Sequence, residues 1–329
     1  MEKADPFFSV IILCWNSNQT IQRCLESLNV QTERDFEVLL IDNGSTEPIS
    51  QELISSFTRL SIQLFRLQQN IGFAAGNNYG AARAKGAYLV LLNSDAFPAT
   101  DWLQNIRKAI RKYPDCFFAS KLIMANHPER MDGMGDVYHV SGLMWRKANN
   151  SPVIRVRNVE GEVFSACGAA AVYPMETFNK VNGFDEDFIS YAEDTDLSFR
   201  LRLLGYHCIY LPDAMVYHIG SGSTWRRSDL SVYYGHRNLV WTYVKNMPGA
   251  WLWLLAPIHL VMNLMMIVVG VTRGQGKVML RAKMDALRGL PVMWKKRSQI
   301  QRTRRVAANK LIQRMDWNPF SPVIRLFRK

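Results

Sequence analysis

Short, almost uninterrupted apolar runs that each break off into amide, carboxylate and small polar residues constrain this chain more than any other feature. FFSVIILCW (7–15) gives way to Asn16-Ser17, FEVLLID (36–42) to Asn43-Gly44-Ser45, and AYLVLLNSD (87–95) closes on Asn93-Ser94-Asp95. Runs of this length, bounded by turn residues, read as strands buried on both faces. Helical patterns lie between them. SNQTIQRCLESLNVQ (17–31) places Ile21, Cys24, Leu25 and Leu28 on one side, an Ala-rich segment covers 74–85 with Gly86 as its cap, and DWLQNIRKAIRKY (101–113) is amphipathic. SIQLFRL (61–67) alternates like a half-exposed strand, and CFFASKLI (116–123) is a further strand. Strand and helix alternating at this pitch predict an α/β fold with a mainly parallel central sheet, whose ligands bind beyond the carboxyl ends of the strands. One polar strand exit is ordinary loop and cap chemistry; three from one sheet mark a site.

The later chain adds a carboxylate cluster. Residues 124–172 are less regular and end in the small-residue run SACGAAAVYP, whose Gly and Ala fit either close backbone approach to a ligand or tight packing. After a turn at Asn182-Gly183-Phe184, YAEDTDLSFRLRLLG (191–205) reads as a helix with Leu197, Leu201 and Leu204 on one face. HCIYL (207–211) is a strand, and MVYHIGSGS (215–223) ends the globular part. Asp185, Glu186, Asp187, Glu193, Asp194 and Asp196 put six carboxylates into twelve residues. Opposing a helix dipole accounts for one or two of them. Asp196, four residues before Arg200, reads as a structural ion pair. Crowding among the rest raises their pKa values and suits a general base. Asn93-Ser94-Asp95 could hold Mg²⁺ or Mn²⁺ if a diphosphate supplied further oxygens. His218 is a candidate ligand beside it, against the commoner structural use of a lone histidine. Asn70 to Asn77 (NIGFAAGN) lacks the lysine of a P-loop and the glycine spacing of a dinucleotide fold, and reads as backbone lying near a nucleotide.

Charge divides the chain unevenly. Residues 273–329 carry 16 Lys and Arg against Asp285 and Asp316, a balance of +14. The other 272 residues carry 24 basic and 26 acidic side chains, a balance of −2. Such a tail calls for a polyanionic partner, an anionic membrane or a nucleic acid. Just before it, Asn246 to Thr272 form 27 residues without Lys, Arg, Asp or Glu, interrupted by Pro257, His259 and Asn263. A spanning helix, a re-entrant or in-plane helix pair, and buried core compete for that run. A single span would put the basic tail on the opposite side from the catalytic part, against the positive-inside rule, so a break near Pro257 is favoured. Five scattered cysteines without a CxxC pair speak against a disulfide framework or a zinc site. MEKADPFFSVIIL does not read as a signal peptide, so a cytoplasmic location is expected.

Taken in order, SVIILCWNS, LLIDNGST, NIGFAAGNN, LLNSD, GFDEDFISYAEDTDLSFRLRLLGY and VYHIGSGS resemble family 2 glycosyltransferases of the GT-A fold, in particular the bacterial rhamnosyltransferase-like branch. The resemblance runs from about residue 8 to 223. With it, the chain divides into an expected catalytic domain over 1–245 and, from the uncharged run and the charge balance above, a hydrophobic membrane-associated segment over 246–272 and a basic helical tail at the membrane surface over 273–329. Asn16 would lie by the nucleotide. Asp42, with Asn43 beside it, would bind the base, and Asn70 and Asn77 would line the donor pocket. Asn93-Ser94-Asp95 stands where the family has its Asp-x-Asp metal motif, with Asp95 on Mg²⁺ or Mn²⁺ and the diphosphate, and His218 as a further metal or phosphate contact. Glu193-Asp194 matches the catalytic acid pair, Asp194 being the base. The first acid of the metal motif is Asn93 here, a poorer cation ligand, and that variant favours a deoxysugar donor. The implied activity is inverting transfer of a sugar, dTDP-rhamnose being the favoured donor, to a polyprenyl-diphosphate-linked saccharide in O-antigen-type polysaccharide assembly. The implied place is the cytoplasmic face of the bacterial inner membrane, peripheral or monotopic, in contact with anionic lipids and not with nucleic acid.

Two rivals fit less well. A sugar nucleotidyltransferase wants a Gly-rich, basic N-terminal loop, and Cys14-Trp-Asn-Ser-Asn18 offers none. A basic nucleic-acid-binding protein has no use for 27 uncharged residues beside its tail.

Overall fold

The computed structural model describes residues 5–220 and 228–327. Ten strands form one sheet in the order β10-β12-β6-β11-β4-β1-β2-β3, with β5 and β7 attached to β12 and β6. The strands are β1 Phe8–Cys14, β2 Phe36–Asp42, β3 Ile62–Arg66, β4 Tyr88–Asn93, β5 Ala96–Pro98, β6 Cys116–Met124, β7 His127–Gly133, β10 Gly161–Val163, β11 Ala170–Pro174 and β12 His207–His218; β8 Asp136–Tyr138 and β9 Met144–Arg146 make a separate hairpin. β1, β2, β3 and β4 are parallel, as are β6 and β12. β11 runs against both β4 and β6 and so joins the two parallel sets. The segments expected separately at 207–211 and 215–218 are one strand with an irregularity between Leu211 and Met215. Ser221, Gly222 and Ser223 of the expected motif lie outside the described residues.

Register fixes the business end. Cys14 pairs with Asp42 and Leu13 with Asn93, so the polar exits of β1, β2 and β4 lie level on one edge. Helices α1 Ile21–Asn29, α2 Gln51–Ser56, α3 Phe73–Ala81, α4 Trp102–Lys112 and α5 Met175–Lys180 connect the strands. α3 ends at Ala81, short of the expected cap: Gly86 instead abuts the β1 backbone, where a Cβ would meet Ser9 N at 2.6 Å.

α6, Glu193–Leu203, is not the one-faced amphipathic helix that its leucines suggested, because it is buried all round. Leu197 and Leu201 pack under the sheet, while Phe199 and Leu203 pack into a second core with Tyr243 and Met247. α7 Asp229–Asn246, α8 Trp251–Leu254, α11 Leu290–Thr303 and α12 Ala308–Ile312 contribute to that second core, while α9 Ala256–Thr272 and α10 Gly276–Arg288 pack in smaller clusters of their own and α13 Phe320–Phe327 closes the described chain. The basic tail is therefore partly internal. Lys283 donates to His236 O and Asn263 Oδ1, Lys296 pairs with Asp185 and Asp187, and Arg297 donates to Val244 O and Met247 O.

The uncharged run breaks at Leu255, between α8 and α9. Among the described residues no helix is long and apolar enough to cross a membrane. Of the residues that interrupt the run, Pro257 is exposed, whereas His259 and Asn263 face inward: the His259 ring stacks on Tyr243 at 3.9 Å and donates through Nδ1 to Ser141 O, and Asn263 Nδ2 donates to His259 O. All five cysteines are free and buried.

Candidate active site

A cleft of about 910 Å³ opens at the carboxyl edge of the sheet. The strand exits form one wall with Trp15, Asn16, Ser17, Asn43, Asn70, Asn93, Ser94 and Asp95, and the opposite wall carries Gly168, Tyr191, Ala192, Glu193 and Asp194. His218 and the hairpin residues Asp136, Trp145 and Arg146 complete it. Side chains from residue 15 to residue 218 thus meet in one cavity, including Asp95 and Asp194.

The donor-side amides mostly tie loops together. Asn16 has φ 53°, and its Oδ1 accepts from Thr46 N–H. Asn43 Nδ2 donates to Asn70 Oδ1 at 3.0 Å while Asn43 Oδ1 accepts from Ile71 N–H. Gly72, at φ 88°, lets this loop touch the segment before α6, since a Cβ there would meet Ile189 at 2.8 Å. Two expected donor contacts are not brought to the cleft wall. Asp42 is buried, its carboxylate accepting from Ser45 N–H at 3.1 Å and Ile49 N–H at 3.2 Å, so it shapes the loop over residues 43–49. Asn77 is buried in α3 and donates to Phe73 O.

On the opposite wall, Asp194 sits at the start of α6. Its Oδ2 accepts from Gly168 N–H at 3.0 Å and its Oδ1 from Thr195 N–H at 2.7 Å, which aims the carboxylate across the cleft. Gly168 belongs to the small-residue run; a Cβ there would crowd the Phe73 ring at 3.0 Å but lie 3.8 Å from Asp194, so its small size serves the packing of Phe73. Glu193 is buried beside it with Oε2 unpartnered. Burial, reinforced by Asp194, pushes the Glu193 carboxyl well above its ordinary range. The rest of the acidic cluster is neutralised instead of crowded. Asp196 pairs with Arg200 at 2.9 Å and Lys245 at 2.7 Å, and Asp185 pairs with Lys245 at 2.5 Å and with Lys296.

The residues leading into α6 are held in an unusual conformation. Ile189, Tyr191 and Ala192 all have positive φ, between 65° and 68°. The fully buried Asn238 of α7 spans this turn, its Nδ2 donating to Phe188 O, Ser190 O and Tyr191 O at 2.7–2.9 Å. Arg237 adds bonds to Asp187 O and Phe188 O.

Along the cleft runs a chain of charges of which the sequence reading picked out Asp95 and His218 but missed Asp132, Arg146 and Asp136. His218 Nε2 lies 3.2 Å from Asp95 Oδ1, and His218 Nδ1 donates to Asp132 Oδ2 at 2.8 Å. Asp132 Oδ2 also takes Arg146 Nη1 at 2.7 Å, and Arg146 Nε is 3.8 Å from Asp136. Burial pulls the His218 pKa down, but Asp132 and Asp95 outweigh it and raise it to about 8, so the ring is largely imidazolium at neutral pH. Burial and then Asp194 raise Asp136 to about 7, against the opposing Arg146. For Asp132 and Asp136 the sequence signal was their pairing in Met131-Asp-Gly-Met-Gly-Asp136, inside the irregular middle region.

The described residues hold no cluster of three or more His, Cys, Asp or Glu side chains placed to bind a metal. Asp95 alone offers a carboxylate at the strand exit, already facing the His218 ring. That fits a divalent cation in the mode where one protein carboxylate is completed by substrate phosphates and water. His218 could join such a site only by giving up its Asp95 contact.

A family model described as Glycosyl transferase family 2 matches residues 9–181, more than half of the chain and ending before α6. An N-acetylglucosaminyl-diphospho-decaprenol L-rhamnosyltransferase of Mycobacterium tuberculosis is 26% identical over 239 residues, covering 66% of this chain and 77% of that protein. Among solved structures, Staphylococcus aureus TarS 1-349 in complex with UDP-GlcNAc superposes with a TM-score of 0.55 at 18% identity, over 94% of this chain and 93% of that one. GalNAc-T7 with UDP, GalNAc and Mn²⁺ gives 0.59 at 19% identity over 74% of this chain, which spans about half (51%) of that longer protein. Both likenesses establish the GT-A fold.

Proposed function

The chain belongs to glycosyl transferase family 2, and from that premise we propose that it moves a sugar, with inversion, from a nucleoside-diphosphate donor to a lipid-linked saccharide. The donor we favour is dTDP-rhamnose. The acceptor is a polyprenyl-diphosphate-linked sugar, and the setting is O-antigen-type polysaccharide assembly at the cytoplasmic face of a bacterial inner membrane. The carrying observation is the cleft that both the strand-exit residue Asp95 and the α6 residue Asp194 line. The named activity of the mycobacterial relative supports the choice of sugar and acceptor class.

The residues divide the chemistry. Trp15, Asn16, Asn43 and Asn70 form the donor wall, where an exposed indole and loop amides receive a nucleoside. Asp194 accepts the proton of the acceptor hydroxyl, its carboxylate oriented by two backbone N–H donors. The freed oxygen attacks the anomeric carbon as the nucleoside diphosphate departs from the opposite side, so configuration inverts. The His218 imidazolium stands beside Asp95, where negative charge builds on the leaving diphosphate. Asp95 would hold Mg²⁺ or Mn²⁺, which when bound supplies further charge neutralisation there. Glu193, whose carboxyl burial and the neighbouring Asp194 push well above its ordinary range, is a weaker candidate for the base than Asp194 because it is buried beside the cleft wall.

The test is a donor panel of dTDP-rhamnose, UDP-sugars and GDP-sugars with a short lipid-diphosphate-GlcNAc acceptor, run with and without Mg²⁺ or Mn²⁺. Transfer is expected from dTDP-rhamnose. A clear preference for a UDP- or GDP-sugar would remove the donor assignment, and inertness toward every donor would remove the transferase reading.

A further inference from the structure

α9 has two unlike faces. Its inner side, with Met262 and Met266, packs on Leu239 of α7 and on Leu143, at the tip of the β8–β9 hairpin. Its outer side presents Val261, Leu264, Val268 and Val271, each 53–63% exposed and spaced along one stripe. The stripe continues onto Leu280 and Leu287 of α10, and at one end Trp253 and Trp294 lie side by side at 5.9 Å, both exposed. Isolated exposed apolar residues need no explanation, but a contiguous face of this kind on a soluble surface does.

The border of this face is basic. Arg273, Lys277, Arg281 and Arg288 are exposed along α10 and the turn before it. The one acid of α10, Asp285, is occupied by Tyr233 and Arg288. We infer that the outer face of α9, the exposed side of α10 and the Trp253–Trp294 pair form a docking surface for an anionic bilayer, lying in the plane of the leaflet with acyl chains against the stripe and headgroups on the arginines and lysines. Two observations select this occupant over a second copy of the chain. A symmetric pair would bring two basic rims together, which like charges oppose. An anionic leaflet instead meets the apolar stripe, the indole pair and the cations with acyl chains, interface and phosphate in that order.

The geometry also says what docking does. The hairpin under α9 carries Met144, Trp145 and Arg146 into the cleft wall. Helix and hairpin thus connect the docking face to the cleft wall, so that docking brings the cleft within one helix layer of the leaflet that carries a lipid-linked acceptor; this last step rests on the transferase reading above.

Co-sedimentation of the full chain with vesicles tests the surface. Binding is expected to phosphatidylethanolamine vesicles containing phosphatidylglycerol, much less to phosphatidylcholine alone, with partial loss at high salt. Leu264→Glu with Val268→Glu, both exposed and outside the cleft, should weaken binding by roughly tenfold or more, the factor carried by one lost apolar anchor. The same variant should transfer sugar normally to a short-chain, water-soluble acceptor while losing activity on a long-chain acceptor in vesicles. Unchanged vesicle binding in the double variant would overturn the surface, as would a wild-type dimer, seen by light scattering, that the variant disperses. If vesicles bind as expected but no donor is turned over, the docking surface stands and the transferase reading fails.

Discussion

Replacing Asn238 by alanine should disarm the enzyme far more than it unfolds it. Its amide has two hydrogens to share among the carbonyls of Phe188, Ser190 and Tyr191. Two buried hydrogen bonds of this kind contribute about 1–3 kcal/mol together. They hold three non-glycine residues, Ile189, Tyr191 and Ala192, at positive φ, where each costs at least about 1 kcal/mol. The strain is therefore at least as large as the restraint that Asn238 supplies, so without the amide the turn relaxes. α6 itself stays in place, because it is buried on both sides. Because relaxation returns strain energy, the expected result is a loss in urea unfolding smaller than the roughly 1–3 kcal/mol of the two bonds, with a fall in kcat of roughly 100-fold, the usual consequence of misplacing a catalytic group by about 1 Å. The donor KM should move little, since the donor wall comes from other loops. Thr242→Val is the control. It removes a buried hydroxyl from the same helix, one that donates to Asn238 O and touches no part of the turn. If Asn238→Ala loses stability yet keeps kcat as Thr242→Val does, the turn does not aim Asp194.

Two further outcomes follow from the same wall. Asp194→Asn can offer its one oxygen to only one of the Gly168 and Thr195 donors, so it should cost about 1–3 kcal/mol of stability and reduce transfer by roughly 10²–10⁴-fold, with donor binding by calorimetry retained. Glu193→Gln should be much milder, and the reverse order of severity would exchange the two roles. Asp136 gives a pH signature. Its carboxyl is raised from 3.8 to about 7 in the folded chain, so between these values the folded state keeps a proton that the unfolded state has lost. Stability from this group should decline as pH climbs through that window and level off above it, by a few kcal/mol at most. Thermal melts of Asp136→Asn should lack this decline, and an unchanged profile would show that Asp136 ionises normally.

The parallel strands β1, β2 and β4 and the polar edge where they end were legible in the apolar runs. Burial on both faces demands continuous apolar runs, and chain reversal demands polar, small residues at their ends, so Cys14, Asp42 and Asn93 could be placed at strand ends without coordinates. The Asp196–Arg200 pair was legible because four residues is a helical distance. Tertiary structure alone decided which polar groups face the cavity. Whether a carboxylate is a ligand, a base or a loop clamp depends on the donors that reach it from elsewhere. Asp42 was claimed by the backbone of residues 45 and 49, Asp185 by lysines 60 and 111 positions away, and Asp132 by His218 and Arg146. The basic tail shows the same rule at larger scale. Its charge count suggested a surface appendage, but Lys283, Lys296 and Arg297 turn inward because the acids and carbonyls that need them lie on helices no local pattern could have brought there.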